Sequence, residues 1–139
     1  MPTVHKEILV HVAPDIVWDA VRDVGALHTR LVPGFVTHVE MVADPPARMV
    51  TFASGMVLKE HIVTVDDSQR RLVWAIESDQ VRHHNGAMQV FDAGPGLTRV
   101  TWIADVLPQA MADAFDPLMG QGMEIMKAHL EGNTERPSN

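Results

Sequence analysis

The sequence predicts one α+β domain in which a curved, seven-stranded antiparallel sheet wraps around a long C-terminal helix. Six extended segments joined by short polar turns occupy residues 35–106, which is typical of an antiparallel meander. After Pro108 the composition changes to Met, Ala, Gln, Glu and Leu, with apolar residues at helical spacing. The length of 139 residues and the 46% hydrophobic content suit a single core. We therefore expect one domain over residues 1–139, with residues 132–139 as a frayed tail.

One strand and two short helices precede the meander. Residues 3–12 alternate between apolar and polar side chains, which predicts a half-buried strand. Pro14 then opens an apolar pattern with spacings of three and four over residues 16–23, and this predicts a short helix with Trp18 facing the core. A second short helix is predicted over residues 26–32.

The meander contains six predicted strands, separated by turns rich in Pro, Gly, Asp and Ser. Asn85-Gly86 also suits a tight hairpin turn, but a turn there would leave two stubs of about five residues, so one long strand is preferred. The predicted strands are residues 35–42, 48–52, 56–65, 71–76, 81–91 and 97–106.

The C-terminal segment predicts an amphipathic helix. Pro117, preceded by Asp116, either kinks this helix or begins a new one with Asp116 as its cap. The apolar residues at helical spacing are Met111, Phe115, Leu118, Met119, Met126 and Leu130.

The composition excludes several classes of function. Eleven Lys and Arg against eighteen Asp and Glu give a net charge of −7, and the basic residues are scattered, so nucleic acid is not an expected partner. The absence of cysteine excludes disulfides, thiolate nucleophiles and cysteine-bound metals. No apolar run has the ~18 residues of a membrane span, and the N-terminal residues do not resemble a signal peptide. We expect a soluble, cytoplasmic protein. The sequence does not indicate its oligomeric state.

The order of elements places the C-terminal helix across the concave face of the sheet, an arrangement that leaves room for a ligand. Five segments of the sequence give a further indication: APDIVW (13–18), GALH (25–28), LKEHIVTVDD (58–67), RLVW (71–74) and LTRVTW (97–102). Together they resemble the START-like superfamily called SRPBCC, which has the helix-grip fold of the birch-pollen allergen, and within it the bacterial polyketide cyclase/dehydrase-type proteins. The resemblance implies a cavity between sheet and helix for a hydrophobic molecule.

Strand alternation selects the side chains that enter such a cavity. If Leu58 and Ile62 face the helix, Glu60 does too, and a buried carboxylate requires a cationic or hydrogen-bonding partner. Arg82 and His84 are the candidate partners, unless a bulge near Gly86 reverses their orientation. The predicted ligand-binding residues are Leu58, Glu60, Ile62, Trp74, Ile76, Arg82, His84, Met88, Val90, Phe115, Met119 and Met126.

Glu60 also sits where the resemblance to plant abscisic acid receptors places a pocket glutamate. A purely structural pair between Glu60 and an arginine is an equal alternative. The receptors carry an aromatic residue at the position that matches Gly86, so this sequence departs from their pattern there.

Other chemistry finds little support in the sequence. The eight histidines show no metal-ligand spacing, since His83 and His84 point to opposite faces of one strand, so no metal and no cofactor are expected. No nucleophile elbow or phosphate-binding loop is present. Acid/base work by Glu60 and His84, with Arg82 orienting a carbonyl, is the remaining catalytic hypothesis.

The sequence is compatible with three functions. The first is binding or transport of a hydrophobic or aromatic small molecule, which a cavity plugged by its own side chains would contradict. The second is a polyketide aromatase/cyclase or dehydratase that uses the same cavity, so the sequence leaves open whether the protein is an enzyme. The third is a protein-interaction module. Residues 33–35 and 52–55 are predicted to flank the cavity mouth.

Overall fold

A computed structural model describes residues 2–135 and shows seven antiparallel strands curved around a long C-terminal helix. The strand order is β1-β7-β6-β5-β4-β3-β2, so the first strand joins the meander beside the last one. The predicted fold class is confirmed. The elements are β1 Thr3–Val10, α1 Pro14–Arg22, β2 Val36–Val42, β3 Ala47–Phe52, β4 Val57–Asp66, β5 Arg71–Glu77, β6 His83–Gly94, β7 Leu97–Leu107 and α2 Gln109–Glu135.

The segment between β1 and β2 forms the cap at one end of the sheet. Helix α1 begins at Pro14, whose missing N–H costs nothing at this position, and it buries Trp18 as predicted. The second predicted helix is replaced by a 3-10 turn at Val24–Ala26 and a π-helical turn at Leu27–Leu31. This change in winding directs Leu27 and Leu31 toward the interior of the domain.

Strand β6 passes through Asn85 and Gly86 without a turn, so the hairpin alternative is wrong. Its register shift lies between Asp92 and Gly94, and the inward orientation near Gly86 is not reversed. Buried and partly exposed residues alternate from His84 to Val90, as expected for a strand with one face on the core.

Helix α2 is continuous through Pro117, so the alternative of a new helix at that point is wrong. The helix extends to Glu135, beyond the start of the predicted frayed tail, and residues 136–139 lie outside the described part. Its apolar face packs on the concave side of the sheet through Met119, Met123 and Met126. No helix within residues 2–135 is long and apolar enough to cross a membrane.

A polar contact fixes the C-terminal part of α2 to the end of β1. The Glu131 carboxylate accepts hydrogen bonds from the backbone N–H of His11 at 2.9 Å and from Lys127 Nζ at 2.7 Å. These donors, with Lys127 the stronger, lower the pKa of Glu131 to about 2. Lys127 Nζ also donates to the Leu9 carbonyl at 2.6 Å, so the helix is held over the sheet by ionic as well as apolar contacts.

Gly86 lets a tryptophan lie flat on the sheet. It is paired with Trp74 on β5, and a Cβ atom at Gly86 would approach Trp74 Cε2 to 2.9 Å and His84 Cε1 to 3.0 Å. Real Cβ atoms do not approach that closely, so the indole occupies space that any other residue at position 86 would need. The glycine thus positions two side chains on the concave face.

We expect Gly86→Ala to lower the free energy of unfolding by about 1–3 kcal/mol, because the new methyl group overlaps a large buried ring. Gly132→Ala is the matched control, since no atom lies within 4 Å of its Cβ position and the residue is helical. That substitution is expected to stabilise by up to ~1 kcal/mol. Urea denaturation of both variants measures the difference, and equal effects would contradict this account of Gly86.

Candidate functional site

A cavity lies between the concave face of the sheet and helix α2. The cavity has a volume of about 90 Å³, and the empty space amounts to about 840 Å³ when the region open to solvent is counted with it. Trp74, Met88, Phe115 and Met119 line this space but do not fill it. The interior therefore keeps empty space in which a small ligand can lie.

The cavity wall is almost entirely apolar, and only three of the residues that line it are ionisable: Arg48, Glu60 and His84. Arg48 and Glu60 are 3% and 6% exposed, and they form an ion pair in which Arg48 Nε donates to Glu60 Oε1 at 2.8 Å. Arg48 Nη1 also donates to the Val24 carbonyl at 3.1 Å. These bonds satisfy much of the polarity that burial would otherwise penalise.

The guanidinium of Arg48 lies near the face of Trp74, with Cζ 5.7 Å from the ring centroid. A cation over an indole face is an attractive arrangement, and it is stronger where water is excluded. The same indole also lies against Gly86, through its Cε2 and Cζ2 atoms. Trp74 thus connects the ion pair on β3 and β4 to the middle of β6.

His84 is buried and its imidazole takes part in the sheet. Nδ1 accepts the backbone N–H of Ile76 at 3.1 Å, a group that would otherwise continue the β5–β6 ladder. The Phe115 ring packs edge-on against the imidazole, with 6.1 Å between the two centroids. Burial, with a smaller contribution from the nearby His83, lowers the pKa of His84 to about 4. The ring is therefore neutral at physiological pH.

The three polar groups lie in one row across the sheet. Arg48 is paired with Glu60, Glu60 with Ile76, and Ile76 lies opposite His84, two residues beyond the Trp74–Gly86 pair. Two strand spacings separate Glu60 from His84, which places their Cα atoms roughly 10 Å apart. A ligand of one or two rings that lies over Ile76 can reach both groups.

The mouth of the cavity is formed by side chains from three separate segments. Phe35 and Phe52 make an edge-to-face contact with 5.6 Å between their centroids, and Met56 follows on the same hairpin. Leu118 on α2 completes the rim and is 38% exposed. Gly122 faces Phe35 at a distance of 3.3 Å from its Cβ position, so helix and loop approach closely here. The segments predicted to flank the mouth, residues 33–35 and 52–55, contain Phe35 and Phe52, which line the cavity.

Nine of the twelve residues predicted to bind the ligand line the cavity: Leu58, Glu60, Trp74, Ile76, His84, Met88, Phe115, Met119 and Met126. Ile62 and Val90 do not line the cavity and pack instead in the hydrophobic core. Arg82 is exposed, because β6 begins one residue later and Arg82 belongs to the preceding bend. Its predicted partnership with Glu60 is wrong.

Sequence reasoning missed Arg48, the true partner of Glu60. The signal was present, because Arg48 shares its strand parity with the apolar Val50 and is followed by a hairpin that brings it opposite Glu60. The wall contributed by Leu27, Leu31 and Trp102 was also missed. Within residues 2–135 no group of three or more His, Asp or Glu is arranged to hold a metal ion.

Residues 1–131 match the family model described as "Polyketide cyclase / dehydrase and lipid transport". The chain belongs to this family. The match covers every strand and nearly all of α2, including the residues of the cavity row. No curated protein matches the chain.

Solved structures of low sequence identity share the fold. The protein XoxI from Bacillus cereus is 15% identical, with a TM-score of 0.82 over 96% of this chain and 99% of that one. The di-domain ARO/CYC protein BexL from the BE-7585A biosynthetic pathway is 17% identical, with a TM-score of 0.83 over 98% of this chain and 48% of that one. Norcoclaurine synthase from Thalictrum flavum is 16% identical, with a TM-score of 0.74 over 98% and 94% of the two chains.

Arg48→Met is expected to lower the free energy of unfolding by about 3–5 kcal/mol, because it leaves the Glu60 carboxylate buried without its counter-charge. The double variant Arg48→Met/Glu60→Leu is expected to recover much of this loss. Lys6→Met is the control, since its pair with Asp116 is largely exposed, and it should cost no more than about 1 kcal/mol. Urea denaturation measures the free energy of unfolding of the three variants. A loss for Arg48→Met as small as that for Lys6→Met would contradict the assignment of Arg48 as the essential partner of Glu60.

His84 is expected to make the protein less stable as the pH falls below 6.5. Because burial lowers its pKa from 6.5 to about 4, the unfolded chain binds a proton in this range that the folded protein excludes. The free energy of unfolding is therefore highest well above pH 6.5. It decreases as the pH falls toward about 4, and below that pH the loss due to His84 levels off at about 3 kcal/mol.

His84→Phe should remove this part of the pH dependence, while His83→Phe on the outer face should retain it. Urea denaturation between pH 7.5 and 4 measures both. The Glu131 carboxylate titrates lower, with its pKa at about 2, so its contribution falls outside most of this window. An unchanged pH profile in His84→Phe would contradict the assignment.

Proposed function

We propose that the protein binds an apolar small molecule with one or two rings in the cavity between the sheet and α2. The observation that carries the proposal is an open cavity, built from aliphatic and aromatic side chains, in the middle of an otherwise packed domain. The family description, which includes lipid transport, supports the same class of function.

The binding energy follows from burial. A fused two-ring molecule removes roughly 200 Å² of apolar surface from water, which contributes about 5 kcal/mol before the cost of association. Trp74 and Trp102, with 5.8 Å between their ring centroids, supply aromatic surface on which such a molecule can pack. We expect dissociation constants for simple two-ring probes in the micromolar to millimolar range.

Blocking the mouth tests this proposal. Leu118→Trp places a larger side chain at the rim, where it should weaken the binding of 2-acetylnaphthalene at least tenfold in calorimetric titration. Leu9→Trp is the matched control, because Leu9 is similarly exposed but lies on β1 away from the cavity. Equal affinities of the two variants, or no binding to the wild type, would refute the proposal.

A second candidate function is proton transfer on a bound carbonyl compound, the step that a cyclase requires. It is favoured by the placement of Glu60 and His84 in one row, where a carboxylate and a neutral imidazole N–H face the same ligand space. With its pKa lowered to about 4, His84 is a weak base but a good hydrogen-bond donor, so it would polarise the carbonyl. Glu60 would then remove the α-proton.

This candidate predicts that the protein accelerates deuterium exchange into the methyl group of 2-acetylnaphthalene in heavy water. In the exchange step Glu60 accepts a methyl proton, the carbonyl becomes an enol or enolate, and return of a deuteron restores the ketone. Mass spectrometry follows the label, and Glu60→Gln should abolish the acceleration while probe binding persists. No acceleration by the wild type would leave binding as the function.

A further inference from the structure

We propose that the cavity selects an uncharged ligand that presents an acceptor oxygen, such as a ketone or quinone carbonyl, to His84 Nε2–H. This inference rests on the proposed function, because it specifies the chemistry of the ligand that the cavity receives. Two independent features carry it: the balance of charge along the cavity wall and the hydrogen bonds of one imidazole.

The cavity wall carries no net charge. Its only formal charges are the Arg48 guanidinium and the Glu60 carboxylate, which neutralise each other at 2.8 Å. A carboxylate ligand would lose its hydration shell and find a cation that already has a partner. An ammonium ligand would meet the donor groups of Arg48 and His84. Either charge is therefore costly to bring in, and an uncharged molecule is not.

The His84 imidazole offers one defined donor. Because Nδ1 accepts the Ile76 N–H, the ring proton is on Nε2. Nε2 makes no hydrogen bond to any group within residues 2–135. It is not fully buried either, so part of its surface stays accessible. His84 is one of the residues that line the cavity, so a ligand held there lies beside its imidazole, and the proposal directs the ligand oxygen to Nε2.

The orientation of that donor is fixed before a ligand arrives. The Ile76 N–H holds one side of the ring, Phe115 packs against it edge-on, and Gly86 lies under its Cε1 atom. A donor with a fixed direction and no competing protein acceptor binds a ligand oxygen favourably at one position only. An apolar pocket obtains specificity from such a group.

Three probes of one shape test the inference: 2-acetylnaphthalene, 2-ethylnaphthalene and 2-naphthoate, titrated into the intact protein at pH 7.5 and followed by ¹H–¹⁵N NMR shifts. In the wild type, 2-naphthoate should bind at least tenfold more weakly than 2-acetylnaphthalene. Comparable affinities for these two probes would overturn the claim of selection against charge.

His84→Phe isolates the donor, since phenylalanine keeps the ring and removes the N–H. It should weaken 2-acetylnaphthalene about three- to tenfold, the effect of one hydrogen bond, and change 2-ethylnaphthalene less than twofold. Comparing each probe with itself cancels their different hydrophobicities. Equal effects on both probes would overturn the assignment of the donor.

Glu60→Gln isolates the charge balance, because it keeps an acceptor for Arg48 and leaves the cation uncompensated. It should tighten 2-naphthoate at least tenfold relative to 2-acetylnaphthalene, with both probes measured on the same variant. Because the wild-type comparison needs no variant, the inference stays testable if Glu60→Gln does not fold. Failure of all three probes to bind the wild type would refute the proposed function itself, whereas equal binding of all three would refute only this inference.

Discussion

The buried ion pair between Arg48 and Glu60 is the constraint on which the rest of the site depends. Neither charge is tolerable in an apolar interior alone, so the two strands that carry them, β3 and β4, must pair in the register that sets the residues side by side. A shift of one strand by one residue would turn its inward side chains to solvent, so Arg48 and Glu60 would lie on opposite faces of the sheet and each charge would lose its partner. The pair thus links the sheet register to the only formal charges within the described cavity.

The aromatic floor of the cavity extends from this pair toward the centre of the sheet. The Trp74 indole lies near the Arg48 guanidinium and against Gly86, and the missing Cβ atom at Gly86 leaves the room that this ring occupies. A larger residue at position 86 would lift the indole into the ligand space. Helix α2 provides the opposite wall with flexible methionines, and Gly122 lets Phe35 approach it at the mouth. Small residues at two positions therefore decide how much space remains.

Sequence patterns identified most of the fold and part of the site, for reasons that particular residues illustrate. The inward orientation of Glu60 follows from alternation within one strand, and the long β6 from its unbroken pattern through Gly86. Arg48 was missed because its role depends on which residue lies opposite it on another strand. The register of a hairpin cannot be predicted from the pattern of either strand alone. Arg82 was misplaced because a strand boundary differs by two residues, and boundaries depend on turn geometry.

A crystal structure of the protein with 2-acetylnaphthalene would show whether His84 receives the ligand oxygen. We expect the naphthalene rings between α2 and the Trp74 indole, with the carbonyl oxygen within about 3.2 Å of His84 Nε2, as a hydrogen bond requires. The Arg48–Glu60 pair should be unchanged in that complex. A probe bound outside the cavity, or a carbonyl directed away from His84 toward the mouth, would show that the cavity does not select its ligand in this way.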